Sequence, residues 1–287
     1  VSKDRTAAIA TDGRYTTQIA EEVPDIRATI ERNVAVAMLS KAADGHRVGF
    51  EADYVSVSLL EKLREACPDG VSLVPVSGVI EDIRLTKDNV ELTRLTEAAE
   101  LSVRALDELL GAGELRAGRT ECEVAADLEY RMRVLGAERV SFDTIVASGP
   151  NSAKPHHGAG DRVIAERDLV TIDFGMHRLG FNSDMTRTFA IGEIGSLEHE
   201  IYEVTLAAQL AGVKAAVPGA KLADVDKACR DVIEDAGYGE YFVHSTGHGV
   251  GLDVHEAPSA AKTGEGTLAE GMTLTIEPGI YIPGRSE

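Results

Sequence analysis

The pattern of apolar and polar positions changes character partway along the chain. From Val1 to about Arg84, short apolar runs alternate with helical stretches. Ala7 to Ala10, followed by Thr11-Asp12-Gly13, reads as a strand entering a turn. Val34 to Leu39 reads as another strand, and Ser56 to Ala66 as a helix stopped by Pro68 and Gly70. These signals predict a small α/β unit. Near Thr86 a long amphipathic helix begins, with Asp88 in its first turn. Leu92, Leu95, Ala99, Ser102, Leu106 and Leu109 recur at steps of three and four, which sets one stripe against a core, and Gly111 and Gly113 end the helix. The domain boundary is expected just before it, dividing residues 1–85 from 86–287. A second helix opens with the capping-box pattern Thr120-Glu121-Cys122-Glu123 and carries Val124, Leu128, Met132 and Leu135 on one face. Val140 to Val146 then predicts a strand running into a polar loop, Ser148 to His157.

The stretch Leu169 to Phe189 breaks the pattern with acids. Asp173 follows the apolar run Leu169-Val170-Thr171-Ile172, typical of a buried strand, and Asp184 lies eleven residues on, before another strand-like run. With Gly175 and Gly180 in its turn region, a hairpin brings these carboxylates together on adjacent strands. Like charges held that close call for a cation.

After Gly195 the order of elements repeats. A helix is predicted from about Ser196 to Val217 and a second from Leu222 to Ala236, with Val225, Cys229, Val232 and Ile233 on its apolar side. Tyr241-Phe242-Val243-His244, a glycine- and histidine-rich loop and a strand from Met272 to Gly279 follow. Thr171-Ile172-Asp173-Phe174-Gly175 aligns with Thr275-Ile276-Glu277-Pro278-Gly279, a carboxylate at the same place in each. Such duplication predicts two halves related by a pseudo-twofold axis, with the site at their junction. It also asks for an acid about a dozen residues beyond Glu277 to match Asp184. Glu287, the last residue, is the only one in range.

Composition narrows the classes. A length of 287 residues suits about two domains. The net charge of -19 argues against nucleic acid as a partner, since phosphate binding needs a clustered basic surface and none is visible in the sequence. No apolar run approaches the roughly 20 residues that cross a bilayer, so no membrane partner is expected, and no signal peptide is visible. Cys67, Cys122 and Cys229 are scattered and unpaired in sequence, which fits a reducing cytoplasm better than a disulfide framework or zinc-thiolate site. The chain opens on Val1-Ser2-Lys3-Asp4 without methionine and closes on Arg285-Ser286-Glu287 directly after a strand-like run, so both ends look cut.

Five of the eight histidines fall in two loops: His156 and His157 in the first, and His244, His248 and His255 in the second. Clustering beside glycines favours function over structure. A zincin helix at His244 and His248 is excluded by the missing glutamate beside His244 and by the intervening glycine. Asp173, Asp184, His248 and Glu277 form an oxygen-rich set with one imidazole, which suits Mn2+ better than thiolate-seeking zinc, with Co2+, Fe2+ and Zn2+ as alternatives. Several carboxylates with one histidine suggest two divalent ions, roughly 3.5–4 Å apart, sharing bridging carboxylates and a hydroxide nucleophile. His46, His157, His177 and His199 are assigned to surface or supporting positions, and Arg187 to support of the hairpin by hydrogen bonds.

Ser148 to His156, Asp173-Phe174-Gly175, Ser183 to Thr188, Thr246 to Glu256 and Thr275 to Tyr281 resemble, in order, the signature blocks of the Xaa-Pro aminopeptidase and prolidase family. The resemblance covers nearly the whole chain and implies an α/β pita-bread catalytic domain with internal pseudo-symmetry. Residues 1–85 resemble the later part of that family's smaller, creatinase-like N-terminal domain. By this resemblance Asp173, Asp184, His248 and Glu277 match dinuclear metal ligands, Asp184 bridging both ions and Asp173 also facing the substrate's free amine. His156, His244 and His255 match positions that bind substrate or stabilise the tetrahedral intermediate, and Glu277 also takes the proton of the attacking water. The family's fifth ligand, a glutamate in an Arg-Ile-Glu-Asp-like segment, has no match here. The implied function is a metal-dependent exopeptidase cutting between an N-terminal residue and proline, in a cytoplasmic homodimer, with dipeptidase and aminopeptidase specificity both open. The alternatives are a catalytically inactive binding module and a metal-independent, creatinase-like amidinohydrolase.

Overall fold

The computed structural model describes residues 6–284, and Glu287 lies outside the described residues. Two compact units divide the chain, Val1–Val79 and Ile80–Glu287. In the first, β1 (Ile9–Thr11) leads through α1 (Thr16–Glu22) to its parallel partner β2 (Ala28–Ile30). After α2 (Val34–Leu39), β3 (Arg47–Glu51) leads through α3 (Val57–Glu65) to its parallel partner β4 (Ser72–Val76). Ser56 caps α3 by accepting from Leu59 N. Val34–Leu39 is therefore a helix where a strand was expected. A six-residue apolar run carries too little periodicity to decide, and Ala35, Ala37, Met38 and Leu39 favour helix over the two β-branched valines.

The second unit begins within α4 (Val79–Arg84) and continues in the long α5 (Asn89–Gly111) and the shorter α6 (Glu121–Val134). Both long helices start on complete capping boxes, Asp88 with Glu91 and Thr120 with Glu123. Their apolar stripes meet over Leu106, Leu109, Leu128 and Met132, and the same core takes in Ile172, Phe174 and Met176 from the strands that follow.

The strand expected over Val140–Val146 is two: β5 (Arg139–Val140) and β6 (Ile145–Ser148) lie in different sheets. β7 (Leu169–Phe174) is followed by β8 (Met176–Arg178), β9 (Phe181–Asn182) and β10 (Met185–Ala190). One antiparallel sheet is ordered β10-β7-β6 and the other β5-β8-β9. The chain crosses between the sheets three times, after β5, β7 and β9, and the crossings are tied together where Ser141 N donates to Gly175 O and Ser183 N to Met176 O, each at 2.9 Å. Gly175 permits the switch, since a Cβ there would sit 1.9 Å from Ser183 O.

The duplicated half comprises α7 (Ser196–Ala215), α8 (Leu222–Asp235), and the antiparallel pair β11 (Gly247–Gly249) and β12 (Glu256–Ala260). Its own core gathers Ile201, Cys229, Ile233, Phe242 and Ile280. The repeat is visible in matched backbone bonds. Gly118 N→Ile164 O, Ile164 N→Arg119 O and Glu121 N→Arg162 O recur as Gly219 N→Leu268 O, Leu268 N→Ala220 O and Leu222 N→Gly266 O. The helix-capping residues Thr120 and Lys221 bridge Val163 and Thr267 in the same way. The strand expected from Met272 to Gly279 is extended but not a regular strand. Thr275 N donates to His248 O and Glu277 N to Thr246 O. His248 N donates to the hydroxyl of Thr275 instead of a carbonyl, and Pro278 has no N–H, so the ladder does not continue. Among the described residues no helix is long and apolar enough to cross a membrane.

Candidate metal centre

Asp184 just before β10, His248 on β11 and Glu277 on the extended stretch converge, each offering a ligand atom within 4.8 Å of the others. His248 Nε2 lies 3.1 Å from Glu277 Oε1 and 3.5 Å from Asp184 Oδ2. On the far side of the ring, Nδ1 meets Gly249 O at 3.0 Å, which turns Nε2 toward the acids. Thr275 Oγ1 ties two of the three together, accepting from His248 N at 3.0 Å and donating to Glu277 Oε1 at 2.5 Å. Gly247 makes this approach possible, since a Cβ there would lie 1.9 Å from Thr275 O.

Burial, reinforced by the charge of Glu277 and opposed by His248, pushes the Asp184 carboxyl up to about 6. Burial alone would lower His248, but its bonds to Glu277 and Gly249 and the charges of the two acids push it up to about 9. Burial also raises Glu277, yet the bonds from His248 and Thr275 outweigh it and hold that carboxyl below the usual range. The two acids thus favour the protonated form of His248. This donor set fits a divalent ion, which replaces one proton by two charges.

Asp173 is not in that group of three. The register pairs it with Thr186, and Asp184 lies two residues before Thr186 on the same face. The two aspartates are thus offset by two residues across adjacent strands, a diagonal relation in which Cα atoms of a regular ladder lie roughly 7–8 Å apart. The residues between them fold away as β8 and β9 into the other sheet.

His255 stacks obliquely on His248, ring centroids 4.3 Å apart. Burial, and then the charges of His248 and His156, lower its pKa against the pull of Glu277. His156 is exposed on its loop. His244 packs edge-on between Phe242 and Tyr281, with Nδ1 at 2.7 Å from Ser245 O and Nε2 at 2.9 Å from Tyr281 Oη. The loop between β11 and β12 is clamped from several sides. Asn182 Nδ2 donates to Gly251 O and Leu252 O, Thr273 Oγ1 to Val250 O, and Glu256 takes Arg84 at 2.5 Å and Lys87 at 2.6 Å.

His46 and His199 are exposed, as expected. Arg187 is exposed and bonds its own neighbour, Thr186 O, so it does not tie the hairpin together. His177 pairs with Glu138 at 3.0 Å, a supporting contact. His157 is largely buried, its Nε2 2.7 Å from Oε2 of the fully buried Glu121. Glu121, Asp226 and Arg230 were not singled out from sequence. Each lies on a helix with ordinary charge spacing, and a capping box accounted for the neighbourhood of Glu121.

Metallopeptidase family M24 matches residues 93–286, and the Creatinase/Prolidase N-terminal domain matches residues 1–86. The chain belongs to metallopeptidase family M24. The Xaa-Pro dipeptidase of Pyrococcus furiosus is 43% identical over 229 residues, 80% of this chain and 65% of that protein. The chain therefore spans just under two thirds of that relative. Among solved structures, the Xaa-Pro dipeptidase from Bacillus anthracis superposes with a TM-score of 0.94 at 40% identity, covering 100% of this chain and 80% of that one. The X-Pro aminopeptidase from Thermotoga maritima gives 0.89 at 36% identity, covering 99% and 80%. The mixed α/β architecture is thus the pita-bread fold of family M24 with a creatinase/prolidase-type N-terminal unit.

Proposed function

We propose that the protein is a metal-dependent exopeptidase that hydrolyses the bond between an N-terminal residue and proline. The observation that carries this reading is the convergence of Asp184, His248 and Glu277, with the His248 ring nitrogen held between two carboxylates. Asp173, one diagonal away on the same sheet face, completes the ligand set, and a further carboxylate is expected C-terminal to Glu277. The set suits two divalent ions, Mn2+ first, with Co2+, Fe2+ or Zn2+ as alternatives. When bound, such ions supply Lewis acidity that polarises a carbonyl and lowers the pKa of water.

The chain's own residues do the rest. Glu277 accepts a proton from the attacking water, and Thr275 holds the orientation of that carboxylate. His255, beside His248, donates to the oxyanion as the carbonyl carbon becomes tetrahedral. His244, fixed by Ser245 O and Tyr281, and His156 on the opposite loop orient the peptide. Asp173 faces its free amine. Proline's tertiary amide lacks an N–H, which gives a dedicated enzyme its rationale. A cytoplasmic homodimer completes the reading. The carboxylates and the family placement speak against a metal-independent amidinohydrolase.

The test is an assay of the Mn2+-loaded protein on Xaa-Pro dipeptides and Xaa-Pro-Yaa tripeptides, with chelator controls. Chelator-sensitive release of the first residue is expected. Cleavage of dipeptides alone assigns dipeptidase activity, and cleavage of tripeptides assigns aminopeptidase activity. No release from either would leave a binding module.

A further inference from the structure

Two buried carboxylates outside the metal group hold the site's two loops in the same way. Glu121 Oε1 accepts both Ser148 N at 2.8 Å and Ser148 Oγ at 2.7 Å. Asp226 Oδ1 accepts both Thr246 N at 3.1 Å and Thr246 Oγ1 at 3.0 Å. In each half, an acid on the second helix thus captures the amide and hydroxyl of the residue that opens a histidine-bearing segment. The acids sit one turn apart in the repeat. Glu121 is the first residue of α6 and Asp226 the fifth of α8, and residues four apart share a helix face. The positions left over are filled by buried Ala125 and Leu222.

The partners of each acid then diverge. Glu121 also takes Asn151 Nδ2 at 3.0 Å, His157 Nε2 at 2.7 Å and Gly160 N at 3.4 Å, so one carboxylate gathers the whole loop around His156. Asp226 is paired bidentately with buried Arg230, at 2.9 Å for each bond. Arg230 donates onward to Phe242 O at 3.1 Å and His244 O at 2.9 Å. Its guanidinium lies 4.0 Å from the centre of the Phe242 ring. This second network anchors the segment from Phe242 to Thr246, two residues before His248.

We propose that Glu121 and Asp226 are equivalent positioning residues that divide the labour. Glu121 sets the substrate-side loop carrying His156, and Asp226, through Arg230 and Thr246, sets the segment carrying His244 and His248. The assignment of His156 to substrate and His248 to metal rests on the function proposed above, whereas the two networks stand without it.

The experiment compares Glu121→Gln and Ser148→Ala with Asp226→Asn and Thr246→Val in the whole chain. Amide hydrogen exchange and titration with Mn2+ alone are the readouts, and the two hydroxyl deletions serve if a carboxylate variant does not fold. Loss of a charged hydrogen bond predicts exchange faster by about tenfold or more at residues 148–160 in the first pair and at 242–249 in the second. Mn2+ affinity should fall about tenfold or more in the second pair and stay within about twofold in the first. In an active wild type, excess Mn2+ should restore the second pair and not the first. Equal acceleration of both segments in every variant, or no acceleration in either, overturns the proposal. If the wild type neither binds Mn2+ nor cleaves peptide, the function reading fails, and the exchange pattern alone decides between the latches and their absence.

Discussion

Asp173 could be picked out from sequence because it closes an apolar run, where an acid is costly unless something answers it, Asp184 as the acid that answers it before the next strand-like run, and Glu277 because the repeat aligns it with Asp173. His248 stood out for its flanking glycines. Glu121 offered no such signal: an acid at a helix start is commonly a solvated dipole partner, and only the fold turns this one into a fully buried acceptor. Burial raises its pKa, but bonds from Ser148, Asn151 and His157 outweigh that and hold it below its ordinary 4.5. A carboxyl depressed on folding contributes stability that is present above the unfolded pKa and lost as pH falls through the folded one. Thermal melts between about pH 3 and 6 should therefore show a destabilising acid limb below about pH 4.5 that is shallower in Glu121→Gln. An identical limb in the variant would mean that other acids carry it. His157 was placed on the surface or in a supporting position from its lack of a motif match, and its pairing with Glu121 settles the supporting role.

At the scale of elements, the long amphipathic helices were legible: α6 from its capping box at Thr120, and α5 from its stripe, although it starts at Asn89, three residues after Thr86, with Asp88 as its cap and not inside its first turn. Short apolar runs were not. Val34–Leu39 became a helix, Val140–Val146 split between two sheets, and the stretch from Met272 kept an extended backbone without a regular ladder. In the last two cases the deciding partner is a distant backbone group, Gly175 O or Thr246 O, that no local pattern encodes. Gly175 is the sharpest of these points, because a side chain would collide with the backbone carbonyl of Ser183, which cannot swing aside. Gly175→Ala should cost about 1–3 kcal/mol in urea denaturation through this overpacking. A loss below about 0.5 kcal/mol, the scale of a neutral surface change, would show that the sheet switch tolerates a side chain.

For the molecule as a whole, the internal repeat was readable from two five-residue blocks, and the matched backbone bonds around α6 and α8 extend it well beyond them. What the blocks did not reveal is how the halves differ. The first half carries Asp173 within β7 and Asp184 just before β10, and the second carries Glu277 on an irregular edge stitched to β11 through Thr275. The charge of Glu277 raises the Asp184 carboxyl, and both acids draw His248 toward its protonated form. That arrangement supports the proposal that Asp184, His248 and Glu277 exchange a proton for a divalent cation. The most direct measurement is calorimetric titration of the wild type, His248→Ala and Glu277→Gln with Mn2+. The wild type should bind, and each substitution should weaken binding by about tenfold or more. Wild-type protein that binds no Mn2+, or variants that bind it as well as the wild type, would overturn the metal-site proposal.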